Sequence, residues 1–559
     1  YTLMPSTYAL LPGAFRVELN GLAAQVGAPG SATAMRNGSY TAPAQLGVAG
    51  TGIHDALPLQ AVFTPGDVLR TYAQYNETGY ADFAVAQALR DGVPRPLLER
   101  DAKALRFQFG LKGSAGEMPG EPALRFAGTA RYATVGDGMG GTALVLGGTA
   151  RSFEVLGDGA APTPDFKGTS LHARDLNAIG AAQLAIGGAP AGTFVQDATA
   201  ADRLRDANRL GFSSAAEGIV LREGAVLRAG EVFLVTDRRD SGITVESGAG
   251  IDTLGRGPAA WDSRRGYIYE PGLRSVLAVS NGWIDIQPPS ASSGGQTGPG
   301  RIDIGVCTPS GSCSAGARLY SEGTITAATD QAFTLGESTR YGTRNLVLAL
   351  GGINVGGERA LGDAAARGAL PPGLTLNQSV LDRLLRGDTS TGAPALENLV
   401  FTVRDAVNFF GSTQLSTIDP ATGQSTISRL MLSTPAIYGW GDADSVARIH
   451  TDVLVWNGTR TPPGLVATGG AGTGSGRLQI DARRIELGAA RDMRVDTVHD
   501  MDRLVLGFGE VQLNASEQVT ARQKGSLSVY QSQGAWDEAA KGYVRTGGAL
   551  RIDTPLLTG

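Results

Sequence analysis

The sequence contains little charge, few aromatic residues and almost no histidine. Charged residues make up 18% and aromatic residues 6% of the 559 positions. The only histidines are His54, His172, His450 and His499. None of them is spaced from another as metal ligands usually are, so we expect no metal centre and no histidine-based catalysis. With a formal net charge of −5 and no basic tract, the chain is also not expected to bind nucleic acid.

Long apolar runs are absent as well. No stretch approaches the roughly 18 apolar residues of a membrane-spanning helix. The chain begins at Tyr1 without a methionine or a signal sequence, and its last residues, Thr554 to Gly559, read like the middle of a strand motif. We therefore expect an internal fragment of a larger protein, in which case the missing signal peptide says nothing about export.

Cysteine is nearly absent, and the two cysteines lie close together. Cys307 and Cys313 are separated by a segment that contains Pro309 and Gly311, which favours a turn. Such a turn can bring the two sulfur atoms within bonding distance, so we expect a local disulfide, which would fit an oxidising compartment. The alternative is two free thiols. A metal site is not expected because no further cysteine or histidine lies nearby.

Glycine, by contrast, is abundant, with 80 residues, and many of them flank short alternating apolar segments. Glycine accepts tight corners, and apolar residues at every second position direct one face of a strand inward. A long series of short strands bounded by glycine is typical of a solenoid of β-coils. Four segments of one form carry this pattern: Gly282–Ile286, Gly300–Ile304, Gly476–Asp481 and Gly548–Asp553.

A second repeated motif contains a Thr-Pro pair. Leu430–Gly439 and Leu550–Gly559 both read Leu-x-[apolar]-x-Thr-Pro-x-[apolar]-x-Gly. Proline has no N–H to donate to a ladder, so each motif predicts a strand, a corner and a second strand.

The spacing of the glycines suggests the size of one coil. Gly525 and Gly548 are 23 residues apart, and Gly282 and Gly300 are 18 apart. If nearly the whole chain joined coils of about 23 residues, it would form a rod of roughly twenty coils, a little over 100 Å long. The alternative is an array of antiparallel sandwiches. It is less favoured because the Asn-Gly pairs at 20–21, 37–38, 281–282 and 457–458 are rarely flanked by clean alternation on both sides.

Helical patterns interrupt the strands. We predict an all-β chain, a parallel β-helix with short helical insertions, in this order: coils over 1–65, a helical insertion over 66–105, coils with loops over 106–359 and a short helix near 198–211, a second insertion over 360–390, and regular coils over 391–559. In the second insertion, Leu376–Arg386 presents one apolar face and Gly387 supplies a stop. Such a helix either binds a partner or packs on the flank of the main fold.

Several segments along the chain resemble the large filamentous-haemagglutinin-like exoproteins that Gram-negative bacteria export by two-partner secretion. The segments are Tyr1–Phe15, Tyr72–Tyr80, Leu432–Gly439, Gly470–Asp481, Arg503–Phe508 and Lys524–Ser532. The resemblance implies a right-handed β-helical shaft, secretion or display at the cell surface, and a role in adhesion. It implies an outer-membrane transporter as the partner during export of the full-length protein. It supplies no catalytic residues.

Few residues are candidates for catalysis or ligand binding. Some β-helix proteins cleave polysaccharides with surface carboxylates, and candidates here are Asp481, Glu486, Asp500 and Asp502. Solvated coil faces explain the same residues. Exposed aromatic residues can bind sugars, and Trp440, between two glycines at a corner, is the best candidate for contact with a glycan or another partner. We predict no catalytic residue, cofactor or metal.

These observations favour a segment of a secreted or surface-displayed bacterial adhesin rather than an enzyme. Its partners would be a host or neighbouring cell surface, matrix or glycans, held through many weak contacts. Two alternatives remain open: a β-helix polysaccharide lyase or glycosidase, and the stalk of a contact-dependent toxin delivery protein.

Overall fold

The computed structural model shows a β-rich chain, in which strands make up 45% of the described residues. This confirms the β-rich class predicted from the sequence. The chain divides into two compact units, Tyr1–Ala84 and Val85–Gly559. The structure describes residues 2–22, 32–72, 79–91, 98–109, 123–132, 134–136, 138–147, 152–192, 209–259, 262–265, 267–291, 297–306, 315–459, 462–489 and 500–559.

The first unit is a four-stranded antiparallel sheet in the order β1-β4-β3-β2. Its elements are a 3₁₀ turn (Ser6–Tyr8), β1 (Phe15–Leu22), β2 (Thr33–Ala34), β3 (Tyr40–Ala44), β4 (Leu59–Pro65) and helix α1 (Gly66–Tyr72). The prediction of coils over 1–65 is therefore wrong. One physical reason is the Asn37-Gly38 turn, in which Gly38 adopts a φ of 85° and returns the chain as a hairpin between β2 and β3.

The second unit holds thirty-six strands within its described residues. The strands up to β20 are β5 (Ala104–Phe109), β6 (Thr142–Gly147), β7 (Ser152–Leu156), β8 (Gly168–His172), β9 (Gln183–Ile186), β10 (Pro190–Gly192), β11 (Arg209–Phe212), β12 (Ile219–Leu221), β13 (Val226–Leu227), β14 (Glu231–Thr236), β15 (Gly242–Glu246), β16 (Gly250–Asp252), β17 (Ile268–Tyr269), β18 (Ser275–Ser280), β19 (Arg301–Val306) and β20 (Arg318–Tyr320). The remaining strands are β21 (Thr324–Thr329), β22 (Phe333–Leu335), β23 (Arg340–Gly342), β24 (Asn345–Leu350), β25 (Ile353–Gly356), β26 (Leu374–Leu376), β27 (Asn398–Val403), β28 (Val407–Phe410), β29 (Thr413–Ser416), β30 (Arg429–Ser433), β31 (Ala436–Trp440), β32 (Val446–Asn457), β33 (Gly476–Leu487), β34 (Arg503–Leu506), β35 (Phe508–Ala521), β36 (Leu527–Tyr530), β37 (Ser532–Asp537), β38 (Gly542–Thr546), β39 (Ala549–Asp553) and β40 (Leu557–Thr558).

One large sheet of 15 strands organises this unit. Its path runs β39-β35-β33-β32-β30-β27-β24-β21-β18-β14-β9-β6-β5, and β29 and β40 pair alongside it. At about 4.8 Å per strand, the thirteen strands of this path cover roughly 60 Å. The predicted rod of twenty coils and over 100 Å is therefore too long, because much of the chain forms other sheets, helices and connecting segments.

Strand β18 is the exception to parallel pairing along this path. It pairs antiparallel with both β14 and β21, whereas the other described neighbours on the path are parallel. The segment between β16 and β18 includes β17, which pairs with β11 in a separate three-stranded sheet. After this excursion the chain enters the large sheet as β18, which runs in the opposite direction to its neighbours β14 and β21.

Three smaller sheets flank the large one and are parallel throughout their described pairs. They have the orders β22-β19-β15-β12-β7-β8, β13-β16-β20-β23 and β26-β25-β28-β31-β34-β36. Up to β24, successive passages of the chain visit the first two of them in turn with the large sheet: β19, β20 and β21 are followed by β22, β23 and β24. Each of these passages adds one strand to each of three sheets, and the third small sheet takes its strands from β25 onward.

An apolar ladder runs through the interior of the large sheet. Residues that pair in register along consecutive strands are all buried: Ile325, Leu346, Leu399, Leu430, Leu454, Ile485 and Val519. Burial of each such side chain stabilises the fold by about 1.5–3 kcal/mol. The alternation predicted from sequence is the source of this ladder, because every second residue of each strand faces the same side.

Polar ladders stand beside it. Asn398 donates from Nδ2 to Asn345 Oδ1 at 2.6 Å, and its own Oδ1 accepts from Arg429 Nε at 2.8 Å. In the neighbouring sheet Asn408 donates to Asn354 Oδ1 at 3.1 Å. These asparagines are almost fully buried. Each pairs with the equivalent residue of the next strand, which satisfies polar groups that would otherwise be orphaned.

The remaining described helices are α2 (Tyr80–Asp91), within which the sequence passes from the first unit to the second, α3 (Ala173–Ala178), α4 (Glu358–Ala366) and α5 (Gln378–Leu385). A 3₁₀ turn lies at Ser263–Arg265. None of the described helices is long and apolar enough to cross a membrane. The stretch predicted as helical over 66–105 ends earlier, because Ala104 already begins β5.

The insertion at 360–390 contains α4 and α5, which pack on the flank of the sheets. Leu381 and Leu384 of α5 are buried in the main core, and Leu361 of α4 lies in a separate cluster with Tyr438. Asn377 caps α5 by accepting from Val380 N at 3.0 Å. The short helix predicted near 198–211 falls mostly outside the described residues, and its last part is strand β11.

Three of the four glycine-led segments form strands as predicted. Gly282–Ile286 does not; its only described bridge joins Ile286 to Tyr269. The spacings between glycines are not coil lengths. Gly525 precedes β36 of one sheet and Gly548 precedes β39 of another, so the two positions are not equivalent. The same holds for the Thr-Pro motifs: both give strand, corner and strand, but one joins two sheets (β30 to β31) and the other stays on β35 (β39 and β40).

Candidate functional site

The candidate for partner contact, Trp440, is half-buried. It ends β31, its ring centroid lies 6.3 Å from that of Phe410, and the Arg367 guanidinium stands 4.6 Å above its face. Cation–π contact of this kind occupies one face of the Trp440 ring. Contact of Trp440 with a glycan or another partner stays a prediction, for which only the rest of its surface is open.

The other described tryptophans differ sharply in exposure. Trp456 is fully buried, where its Nε1 donates to Thr434 O at 3.3 Å. Trp283 is partly buried against a second apolar cluster. Trp536, which sequence reasoning did not single out, is 46% exposed on the hairpin of β37 and β38. The available signal was weak: Trp536 lies between Gly534 and a polar Asp-Glu turn.

An open groove of about 460 Å³ lies on the large sheet. It lies where the pairing of β33 with β35 changes register, between Ala482 and Arg484. We call it the polar groove and define it by the six side chains that give it its character: His450, Asp452, Asp481, Arg483, Asn514 and Asp553.

Strand register assembles one row of the polar groove. His450 pairs with Asp481, Asp481 with Asn514, and Asn514 with Asp553. These residues are far apart in sequence and meet because each occupies the same position on consecutive strands. The row thus presents imidazole, carboxylate, amide and carboxylate side by side.

Asp481 is the most constrained member of the polar groove. Burial opposes its ionisation, but hydrogen bonds from Asn514 (2.8 Å), Gln479 (2.9 Å) and Arg448 outweigh this effect and lower the pKa of its carboxyl. A carboxylate held ionised by three donors is a poor general acid. It is well suited to fix the row or to accept hydrogen bonds from a ligand.

Arg483 forms a second charged row. Its Nε and Nη2 atoms each lie 2.9 Å from the carboxylate of Asp452, and its Nη1 reaches Glu517. Hydrogen bonds with these two carboxylates raise the pKa of Arg483. The two-point contact with Asp452 has the bidentate geometry that orients both groups.

The other carboxylates proposed for catalysis are not grouped with Asp481. Glu486 is buried beside Arg484 and Arg522. Asp500 pairs with Lys524, and Asp502 accepts from the backbone and side chain of Ser526, just before β34 of a different sheet. The sequence-predicted set is therefore dispersed.

The remaining candidates from the sequence are the histidines and the cysteine pair. His172 is buried, with Nδ1 lying 3.1 Å from Gly157 O, and His54 is exposed in a bridge with Gly47. Within the described part of the chain, no group of three or more His, Cys, Asp or Glu residues is arranged to hold a metal ion. The pair Cys307 and Cys313 lies outside the described residues.

Neither a protein-family model, nor a curated protein, nor a solved structure matches this chain.

Proposed function

We propose that Val85–Gly559 is a right-handed parallel β-helix that serves as a shaft and binding segment of an adhesin. The parallel sheets, the three-sheet passages and the asparagine ladders support the solenoid. Parallel crossovers are right-handed in about 98% of cases, which supports the handedness. Strand β18 is then a local reversal within the stack.

The observation that carries the proposed function is the stacked interior. The apolar ladder continues from Ile325 to Val519 over seven strands. A stack in which each strand is bonded to the next resists bending and holds surfaces at a set distance. Ion-paired rows such as Asp452–Arg483–Glu517 line its outside. These are properties of a scaffold that displays contact surfaces.

We further propose that the parent protein is displayed at the surface of a Gram-negative cell after export through an outer-membrane transporter. The resembling segments support this proposal. The contact surfaces would include the polar groove, with cell surfaces, matrix or glycans as partners. Weak contacts along one rigid segment add through effective concentration.

Attachment of the purified chain tests the proposal. The chain is immobilised on beads and presented to epithelial cells, to matrix proteins and to a glycan array. We expect saturable attachment to at least one of them, and weaker attachment for Arg483→Ala, which frees Asp452 and Glu517 and disorders the polar groove. Gln424→Ala, in an exposed turn outside the six groove residues, is the matched control. Attachment to none of the three surfaces would refute adhesion.

The polar groove favours one second candidate, a glycan-cleaving enzyme. Three carboxylates, Asp452, Asp481 and Asp553, line one open groove. Incubation with a polysaccharide panel, followed by measurement of reducing ends and of absorbance from unsaturated ends, tests it. Product that forms with the parent chain and is lost in Asp553→Asn would replace the adhesin proposal with catalysis.

A further inference from the structure

The hairpin of β37 and β38 carries an exposed aromatic pair. Trp536 and Tyr543 face each other in register across the two strands. Their ring centroids are 5.1 Å apart with an interplanar angle of 79°, so the edge of one ring meets the face of the other. Trp536 remains 46% exposed. The exposed part of this ring is apolar area that a ligand could bury.

Planar polar groups border the pair. The Arg545 guanidinium lies 5.7 Å from the centroid of the Tyr543 ring, and its Nε donates to Gln533 Oε1 at 2.9 Å. This contact holds the guanidinium over the Tyr543 ring and leaves its other N–H groups available as donors. An open ring bordered by fixed donors suits a ligand with one apolar face and a polar rim.

The charge of the hairpin indicates which ligand. Glu538 and Lys541 in the turn pair with each other at 2.9 Å, and Asp537 is balanced by Arg545, so the hairpin is formally neutral. An anionic membrane surface would call for net positive charge. A neutral pyranose instead offers a C–H face for stacking and hydroxyl groups for the rim.

We propose that Trp536 and Tyr543 form a stacking platform for a pyranose ring of a neutral glycan, with Arg545 and Gln533 bonding its hydroxyl groups. This inference rests on the proposed adhesin function, for which it names one ligand class and one site. The platform belongs to a hairpin that leaves the stack between β36 and β39, separate from the six residues of the polar groove.

Calorimetric titration of the purified chain with four hexasaccharides (cellohexaose, chitohexaose, laminarihexaose and maltohexaose) tests the platform. We expect at least one to bind, about tenfold or more weaker binding for Trp536→Ala, and near-parental binding for Trp536→Phe, which keeps a ring for stacking. Tyr80→Ala, at a 75% exposed aromatic of the first unit, is the matched control and should change nothing.

The outcomes separate the platform from the adhesin function. If no hexasaccharide binds, or if Trp536→Ala binds as tightly as the parent chain, the platform is refuted even where attachment to cells persists. If the chain also attaches to no cell, matrix or glycan, the adhesin function fails as well. A change from dimer to monomer in Trp536→Ala, measured by light scattering, would assign the aromatic pair to a contact between copies and overturn the proposal.

Discussion

The asparagine ladder gives the sharpest test of the stacked architecture. Asn345 and Asn398 are only 3% and 4% exposed, and they lie on adjacent strands β24 and β27. Replacing Asn398 by leucine keeps the branching at Cγ but removes both of its side-chain hydrogen bonds. Asn345 Oδ1 then loses the donor at 2.6 Å, and Arg429 Nε loses the acceptor at 2.8 Å.

The loss in the free energy of unfolding depends on whether each group left without a partner can reach water. A buried polar atom left without its partner costs about 1–3 kcal/mol. The oxygen of Asn345 is buried and bears most of that cost, whereas Arg429 is half-exposed and can turn toward water. We therefore expect Asn398→Leu to lower the free energy of unfolding by about 2–4 kcal/mol.

The double replacement Asn345→Leu with Asn398→Leu should cost less than the sum of the two single changes. It removes both partners together, and apolar side chains in their place leave no orphan between them. Gly323 O loses the Asn345 Nδ2 donor but keeps Thr343 Oγ1 at 3.1 Å and the Asn345 backbone N–H at 3.0 Å. The coupling between the two sites is thus attributable to the ladder.

Urea unfolding followed by circular dichroism measures the loss, and amide hydrogen exchange in β24 and β27 shows where it falls. Gln424→Ala, which removes an exposed amide from a turn, is the control and should stay within about 0.5 kcal/mol of the parent. A single Asn398→Leu change that is equally mild, or a double change that equals the sum, would refute the reasoning that the ladder holds the adjacent strands β24 and β27 together.

Two further changes probe the core and the pH response. Trp456→Ala removes a fully buried ring and its hydrogen bond to Thr434 O, so we expect a loss of about 3–5 kcal/mol in the same urea assay, and a loss below about 1 kcal/mol would contradict its core role. Although Asp285 as a residue keeps some exposed surface, burial of its carboxyl raises the pKa from 3.8 to about 6. Because the folded pKa lies above the unfolded one, the stability it supports is full below pH 3.8 and is lost as pH rises to about 6. Asp285→Asn should flatten this part of the profile of melting temperature against pH, and an unchanged slope would show that another group causes it.

Local signals predicted the elements whose ends are marked in the sequence. Thr434-Pro435 interrupts the ladder at the corner between β30 and β31 because proline lacks a donor. The apolar face of α5 was readable because Leu381 and Leu384 lie three residues apart and both reach the core. In each case the information lies within about ten residues.

Strand direction and partner choice were not readable in this way. Nothing within β18 distinguishes it from its parallel neighbours; its reversal comes from the excursion through β17 that precedes it. The first unit shows alternation too, yet folds as an antiparallel sheet. Alternation reports which face is buried, not which strand lies beside it.

The surroundings of the candidate site residues were not readable for a related reason. Trp440 was chosen for its flanking glycines, but Arg367, which is distant in sequence, covers one face of its ring. The polar groove could not be predicted from the sequence, because segments of unequal length separate the residues that line it. His450, Asp481 and Asn514 meet only once the strand register is known.

The placement of the excursions explains how one stack can carry several surfaces. Helices α4 and α5 lie between β25 and β27 in the sequence, and the hairpin of β37 and β38 lies between β36 and β39. In both cases the flanking strands belong to different passages of the chain. The buried ladder depends only on inward positions of the strands, such as Leu399 and Leu430. An excursion at a corner therefore changes the outside without disturbing the interior. Contact surfaces can then vary while the buried ladder is kept, which is the division of roles that the proposed adhesin function needs.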